Sequence, residues 1–282
     1  MIVDRLQILF KSGSGGKGSA SVKKLSSARF HPDGGDGGRG SDIILKVSPH
    51  LYDLGKLKGK KKIVAASGEP GSRRLKSGKN AEPLYVDLPS GTQILDKNNQ
   101  LIVDLINGRK EFVLCEGGQG GRGSNRNPAT TDPGAGQTKL VVLDYRIPVD
   151  VVIVGFANRK KTTLFNLITG QENRVAHYPF TTATCALGHF NYKFNKITLL
   201  DTPPVRETKD NPGKNRFLRH LFRSKIILIL GENKDYKQIK EEIDKFDPDF
   251  LGQKKVFYLP ANIGKIDINQ LKEKIHSYLE KL

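Results

Sequence analysis

Short apolar runs alternating with polar residues punctuate the first 150 positions. Residues 41–47, 84–88, 101–106 and 111–115 each read as a strand, because apolar and β-branched residues bounded by Gly, Pro, Asn or Asp are what a half-buried pleated segment needs. Helical periodicity is nearly absent there. At Val149 the pattern changes. Residues 149–154 predict a buried strand, and Leu164, Leu167 and Ile168 then follow at helical spacing with Gly170 as the stop. Further strands are expected at 196–200 and 226–230. Ile268, Leu271, Ile275 and Leu279 predict a closing amphipathic helix packed on the sheet, its Lys and Glu residues facing solvent. The expected organisation is two domains, 1–148 built on strands and 149–282 of α/β type.

Composition sharpens the first domain. Of the 30 glycines in 282 residues, 23 lie before residue 151, chiefly at 13–18, 34–40 and 117–123. Glycine surrenders much backbone entropy on folding, so flexible linkers are one reading. The regular interleaving with strands favours the other, in which extended glycine segments of polyproline II type pack where backbones approach too closely for a Cβ. Glycine never recurs at every third position over a long stretch, which excludes collagen. No apolar run approaches the 18 or so residues of a membrane span, and the opening residues lack the basic and apolar regions of a secretion signal. Cys115 and Cys185 provide no disulfide framework and suit a reducing cytosol. The six histidines show no metal-ligand spacing and are expected on the surface or in loops.

Charge adds a partner. The chain carries a formal +18, shared as +9 through residue 150 and +9 after it. Cations concentrate in loop-like sequence at Lys60, Lys61 and Lys62 and at Arg73, Arg74, Lys76 and Lys79, with Lys17, Arg39, Arg122 and Arg126 in or near glycine turns. Basic loops of this kind hold phosphate backbones by counterion release, with strong salt dependence and little base reading. Without Trp and without aromatics interleaved among the cations, shape and phosphate recognition of folded RNA fits better than stacking on a single strand.

The strand, loop and helix at 149–170 form the context of a phosphate loop. The pattern G-x-x-x-x-G-K-[ST] needs amides around the phosphates, a Lys reaching them and a hydroxyl for Mg2+. Gly155, Lys161 and Thr162 stand at those places, but Lys160 replaces the second glycine, where a Cβ and a long side chain crowd the tightest part of the loop. Downstream, Thr181 and Thr182 offer a threonine pair of the nucleotide-switch type. The strand at 196–200 runs into Asp201-Thr202-Pro203-Pro204, where a switch would read D-x-x-G. Pro204 has no N–H to offer a γ-phosphate.

On these residues the chain resembles the Obg GTPase family from Met1 to Leu282. The resemblance rests on residues 34–40, 78–81, 89–92, 117–123, 154–156, 178–182 and 217–220. It implies a glycine-rich Obg fold, a β barrel with polyproline II type glycine loops, followed by an α/β P-loop domain of Ras-like type. It implies the large ribosomal subunit and its rRNA as partners, GTP or GDP with Mg2+ as cofactors, and a cytoplasmic or organelle-matrix setting. No membrane is expected, and the protein is expected to be a monomer. The expected nucleotide residues are Gly155, Asn158, Lys161, Thr162, Thr163 and Asp201, with Ala261 and Asn262 in the last loop near the base; Thr162, Thr182 and Asp201 are the expected metal ligands.

The departures from the family pattern matter equally. Guanine is normally read by N-K-x-D after a strand. Asn233-Lys234-Asp235-Tyr236 is one residue short of the required spacing, and Gly264-Lys265-Ile266-Asp267 has Gly where Asn belongs. Only 52 residues remain from Gly231 onward, fewer than the roughly 70 that three helices and two strands with their loops need. One strand–helix unit is therefore expected to be missing. Three readings follow: an rRNA-binding protein with an impaired GTPase domain, a working Obg GTPase, or a general basic RNA-binding protein.

Overall fold

The computed structural model describes residues 3–26, 29–106, 110–125, 131–170, 174–180, 183–206, 212–245 and 250–282. The chain divides into two compact units, Val3–Tyr145 and Arg146–Leu282.

The described residues of the first unit form ten strands: β1 (Arg5–Lys11), β2 (Val22–Ser26), β3 (Arg29–Pro32), β4 (Ile43–Val47), β5 (Lys62–Val64), β6 (Leu84–Leu88), β7 (Thr92–Leu95), β8 (Leu101–Leu105), β9 (Glu111–Cys115) and β10 (Thr138–Tyr145). A five-stranded sheet runs β5-β1-β10-β7-β8 and a three-stranded one β6-β4-β9, while β2 and β3 pair as a hairpin. Alternation along β1 turns Ile8 and Phe10 into the core, where Leu45, Leu88, Ile94, Leu105 and Leu143 are likewise fully buried.

The glycine segments between these strands are ordered. Gly13, Gly16 and Ser19 donate to the carbonyls of Ser41, Gly38 and Gly35; Gly37 and Gly40 donate to Gly121 and Gly118; Gly118, Gly121 and Ser124 donate back to Gly13, Gly16 and Ser19. The bonds recur every third residue, the period of polyproline II, and close a triangle of three segments. Glycine is required because the backbones touch. A Cβ on Gly120 would lie 1.9 Å from the Gly37 carbonyl oxygen, and one on Gly37 would lie 1.9 Å from that of Gly16.

In the second unit β11 (Val151–Val154) leads into α1 (Lys161–Thr169). Then come β12 (Arg174–Phe180), β13 (Ala183–Tyr192), β14 (Asn195–Asp201), a 3-10 segment at Pro212–Arg223, β15 (Ile226–Gly231), α2 (Asn233–Asp244), β16 (Lys255–Pro260) and α3 (Ile268–Leu279). The sheet order is β12-β13-β14-β11-β15-β16. Strands β14, β11, β15 and β16 run parallel, and β12 and β13 add an antiparallel edge. Fully buried parallel strands read as continuous apolar runs, as β11 and β15 do. In α1 the buried face is Leu164, Phe165 and Ile168. Leu167, expected in that stripe, stands 50% exposed because it falls outside the arc facing the sheet. Gly170 ends the helix at a positive φ of 72°. After β15 the described residues hold one further strand and two helices, the count expected when one strand–helix unit is missing.

Two histidines depart from the expectation of surface placement. His220 and His276 are each 1% exposed. The Nδ1 of His220 accepts the Ile147 N–H, and the ring of His276 meets the Asn195 amide and Tyr192. A ring with a satisfied nitrogen is well suited to a core, and spacing alone does not reveal that partner. Among the described residues no group of three metal-capable side chains assembles, and no helix is long and apolar enough to cross a membrane.

Candidate functional site

In an open α/β sheet the loops at the carboxyl ends of parallel strands form the binding crevice. Here those loops are 155–160 after β11, the segment from Asp201 after β14, the start of α2 after β15 and residues 261–267 after β16. The expected nucleotide residues thus lie at one end of one sheet.

The loop after β11 is tightly constrained. A Cβ on Gly155 would lie 2.7 Å from the Leu230 carbonyl oxygen, so glycine lets β11 and β15 approach. Asn158 and Lys160 both take left-handed backbone, at φ 60° and 54°. Lys160 immediately precedes α1 and offers no side-chain cap. Lys161 is 8% exposed, and its Nζ donates to the Phe156 carbonyl at 3.0 Å. Burial pushes its pKa down, and the Asp201 carboxylate partly restores it. The Thr162 hydroxyl donates to Asp201 Oδ2 at 2.7 Å, joining two hard oxygen donors of the kind Mg2+ takes. Thr163 is exposed on α1.

The segment after Asp201 folds over the end of β11. Thr202 bonds to the Ile153 carbonyl through its hydroxyl, and the Val205 N–H bonds to the Gly155 carbonyl at 3.1 Å. The amide that follows Pro204 is therefore engaged and does not replace the one proline lacks. The expected switch residues Thr181 and Thr182 lie outside the described residues.

At the starts of α2 and α3, neither candidate recognition motif presents a freely directed carboxylate. Asp235 accepts the Glu232 N–H at 2.9 Å and pairs with Arg159 of the loop, 2.9 Å from Nε to Oδ2. Asp267 caps α3 through the amides of Asn269 and Gln270. Asn262 is exposed, with its Oδ1 accepting the Gly264 amide, and Ala261 lies half-buried beside it. The Arg159–Asp235 link between loop and α2 was not legible in the sequence; only opposite charges at both places hinted at it.

Most of the candidate RNA cations of the first unit are exposed: Lys17, Lys60, Lys61, Lys62, Arg73, Arg74, Lys76, Lys79 and Arg122. Arg39 differs, since its guanidinium is tied to Asp42 at 2.7 Å. Arg126 lies outside the described residues. The tip carrying Arg73, Arg74 and Lys76 holds two adjacent non-glycine residues in left-handed backbone, Arg74 and Leu75, each at φ 60°. Asp33 fixes it. Its carboxylate accepts the Arg74 N–H and the Ser21 hydroxyl, and its carbonyl accepts the Leu75 N–H at 2.7 Å. The Ser21 bond leads in holding this carboxyl below its usual pKa, helped by the Arg74 amide and the charges of Arg73 and Lys23. Left-handed backbone at two adjacent non-glycine residues persists only where the surrounding bonds hold it, as those to Asp33 do here.

A glycine-segment domain followed by a mixed sheet with a parallel core and a phosphate loop defines a P-loop protein with a glycine-rich amino-terminal module. Family models agree with both parts: "GTP1/OBG" matches residues 3–140 and "50S ribosome-binding GTPase" matches 150–260. The GTPase Obg of Karelsulcia muelleri is 33% identical, over 99% of this chain and 90% of that protein. That of Clostridium kluyveri is 36% identical over 88% of this chain, which spans 63% of its length. The chain belongs to the Obg family of GTPases. The alignment with the GTPase Obg of Thermoanaerobacter sp. runs through 308 positions while covering 100% of this chain, 26 more than its 282 residues. The G domain of the Thermotoga maritima FeoB iron transporter also aligns, over 46% of this chain and 98% of that one, at 21% identity and a TM-score of 0.34.

Proposed function

We propose that this chain is a ribosome-associated Obg protein that acts in large-subunit assembly by binding rRNA, with a GTP site weakened in both affinity and turnover. In this reading residues 1–148 face the RNA and 149–282 form the nucleotide domain. The observation that carries it is the coincidence of three changes at one end of the sheet. Lys160 occupies the left-handed position before α1, Pro204 removes an amide whose neighbour Val205 is bonded elsewhere, and Asp235 is engaged by Arg159.

The residues that remain fit a phosphate chain. Lys161 supplies the cation, and the first turn of α1 supplies amides at its positive end. Thr162 and Asp201 would hold Mg2+, which supplies charge neutralisation at the phosphates when bound. Gly155, Asn158 and Thr163 line the same loop, with Ala261 and Asn262 beside the base. Cytoplasmic placement and a monomeric state accompany this reading.

The strained, Asp33-held tip and the exposed lysines at 60–62 supply the rRNA contact in the same scheme. Two measurements test it together. Co-sedimentation with large subunits is expected at low salt and lost as salt rises. Calorimetric titration with GTP and GDP, with and without Mg2+, is expected to give weak binding and no turnover. Absence of sedimentation at low salt overturns the RNA half; tight GTP binding with multiple turnover overturns the other.

A further inference from the structure

Strand β16 forms one outer edge of the second unit's sheet, paired among the described strands only with β15. Successive residues of a strand direct their backbone groups to opposite sides. The Lys255 N–H points inward, to the Lys225 carbonyl, so Lys255, Phe257 and Leu259 face β15, whereas Val256 and Tyr258 direct theirs outward. Pro260 closes the run without an N–H, as is usual at an edge. Tyr258 is 54% exposed, its ring tilted against that of Tyr236 at a centroid distance of 4.8 Å. Edges of this kind template another strand unless something deters it.

Beside the edge, between β16 and α3, lies a groove of about 490 Å³. Its lining includes Lys255, Lys274 and Lys281 against one acid, Glu273, together with Phe257 and Tyr278. The Lys255 ammonium sits over both rings, 5.6 Å from the centroid of Phe257 and 5.8 Å from that of Tyr278. Three features select the occupant. The lysines repel a basic or neutral strand and attract an acidic one. The formal +18 of the chain opposes a second copy of itself. The ring faces already carry an ammonium, so they are poor stacking platforms for bases, while the outward amides at alternate residues match a peptide backbone.

We infer that the outer edge of β16, with the groove beside it, takes an extended acidic segment of another protein as an added strand. Main-chain bonds to Val256 and Tyr258 supply the pairing, and acidic side chains at alternate positions of the guest enter the groove toward Lys255, Lys274 and Lys281. The inference is independent of whether the phosphate loop binds GTP.

The test uses the full chain and a fluorescein-labelled peptide alternating glutamate with threonine. Binding by anisotropy is expected, with slowed hydrogen exchange at the Val256 and Tyr258 amides. The triple variant Lys255→Glu, Lys274→Glu, Lys281→Glu is expected to weaken binding at least about tenfold. Tyr258→Pro, which removes an outward donor and no bond to β15, is expected to do the same with an unchanged far-UV circular dichroism spectrum. The same peptide with lysine in place of glutamate is expected not to bind. The inference is overturned if the acidic peptide fails to bind, if it binds without protecting those two amides, or if a short RNA duplex protects them instead. Should the proline variant misfold, the exchange measurement on the unaltered chain decides.

Discussion

At position 160 a side chain stands where the phosphate loop turns through left-handed backbone. An L-residue there costs about 1–2 kcal/mol, and glycine would relieve this while adding about 0.5–1 kcal/mol of folding entropy. Lys160→Gly is therefore expected to stabilise the fold by about 0–1.5 kcal/mol, yet to tighten GTP binding by about tenfold as the loop amides become accessible. Thermal melts paired with calorimetry check both halves; unchanged affinity would overturn the expectation that Lys160 weakens the loop. The positions of Lys161 and Thr162 at the start of α1 were legible because a phosphate loop has fixed spacing. The engagement of the Val205 amide with Gly155, and of Asp235 with Arg159, was not, because each joins residues far apart in the sequence.

Elements show the same division between local and distant causes. The boundaries of β6 and β9 match the alternation of their residues, and α3 buries Leu271 and Ile275 as its period requires. Strands β1 and β10, which pair with each other from opposite ends of the first unit, were missed, since their register is fixed by contact and not by local pattern. The glycine triangle belongs to this scale. Gly120→Ala sets a Cβ within 1.9 Å of the Gly37 carbonyl oxygen, and no flexible side chain is there to yield. It is expected to destabilise the first unit by at least about 2 kcal/mol, or roughly 5 °C or more in its melting transition. Gly252→Ala, with nothing within 4 Å and no left-handed backbone, is the control expected to leave the transition unmoved. Calorimetric melts of the two variants compare them directly.

Across the whole molecule, charge is the property that both units share. With +9 in each half and an Asp33-held tip of Arg73, Arg74 and Lys76, affinity for folded rRNA is expected to fall steeply with salt. Asp33→Ala is expected to weaken binding severalfold while leaving the salt slope nearly intact, because it frees the tip without removing a cation. Filter binding across a salt series reads both quantities; a slope that collapses with the anchor would mean the tip's cations act only when fixed.

By itself the sequence determined the two-part organisation, the phosphate-loop context and the need for glycine in the first 150 residues. Each is written in spacing or composition, which folding cannot alter. Only the tertiary structure decided which amides and carboxylates remain available, that His220 and His276 lie in the core, and that β16 is an edge of its sheet. The physical reason is that hydrogen-bond satisfaction and exposure depend on partners brought together from distant positions, and local pattern carries no record of them.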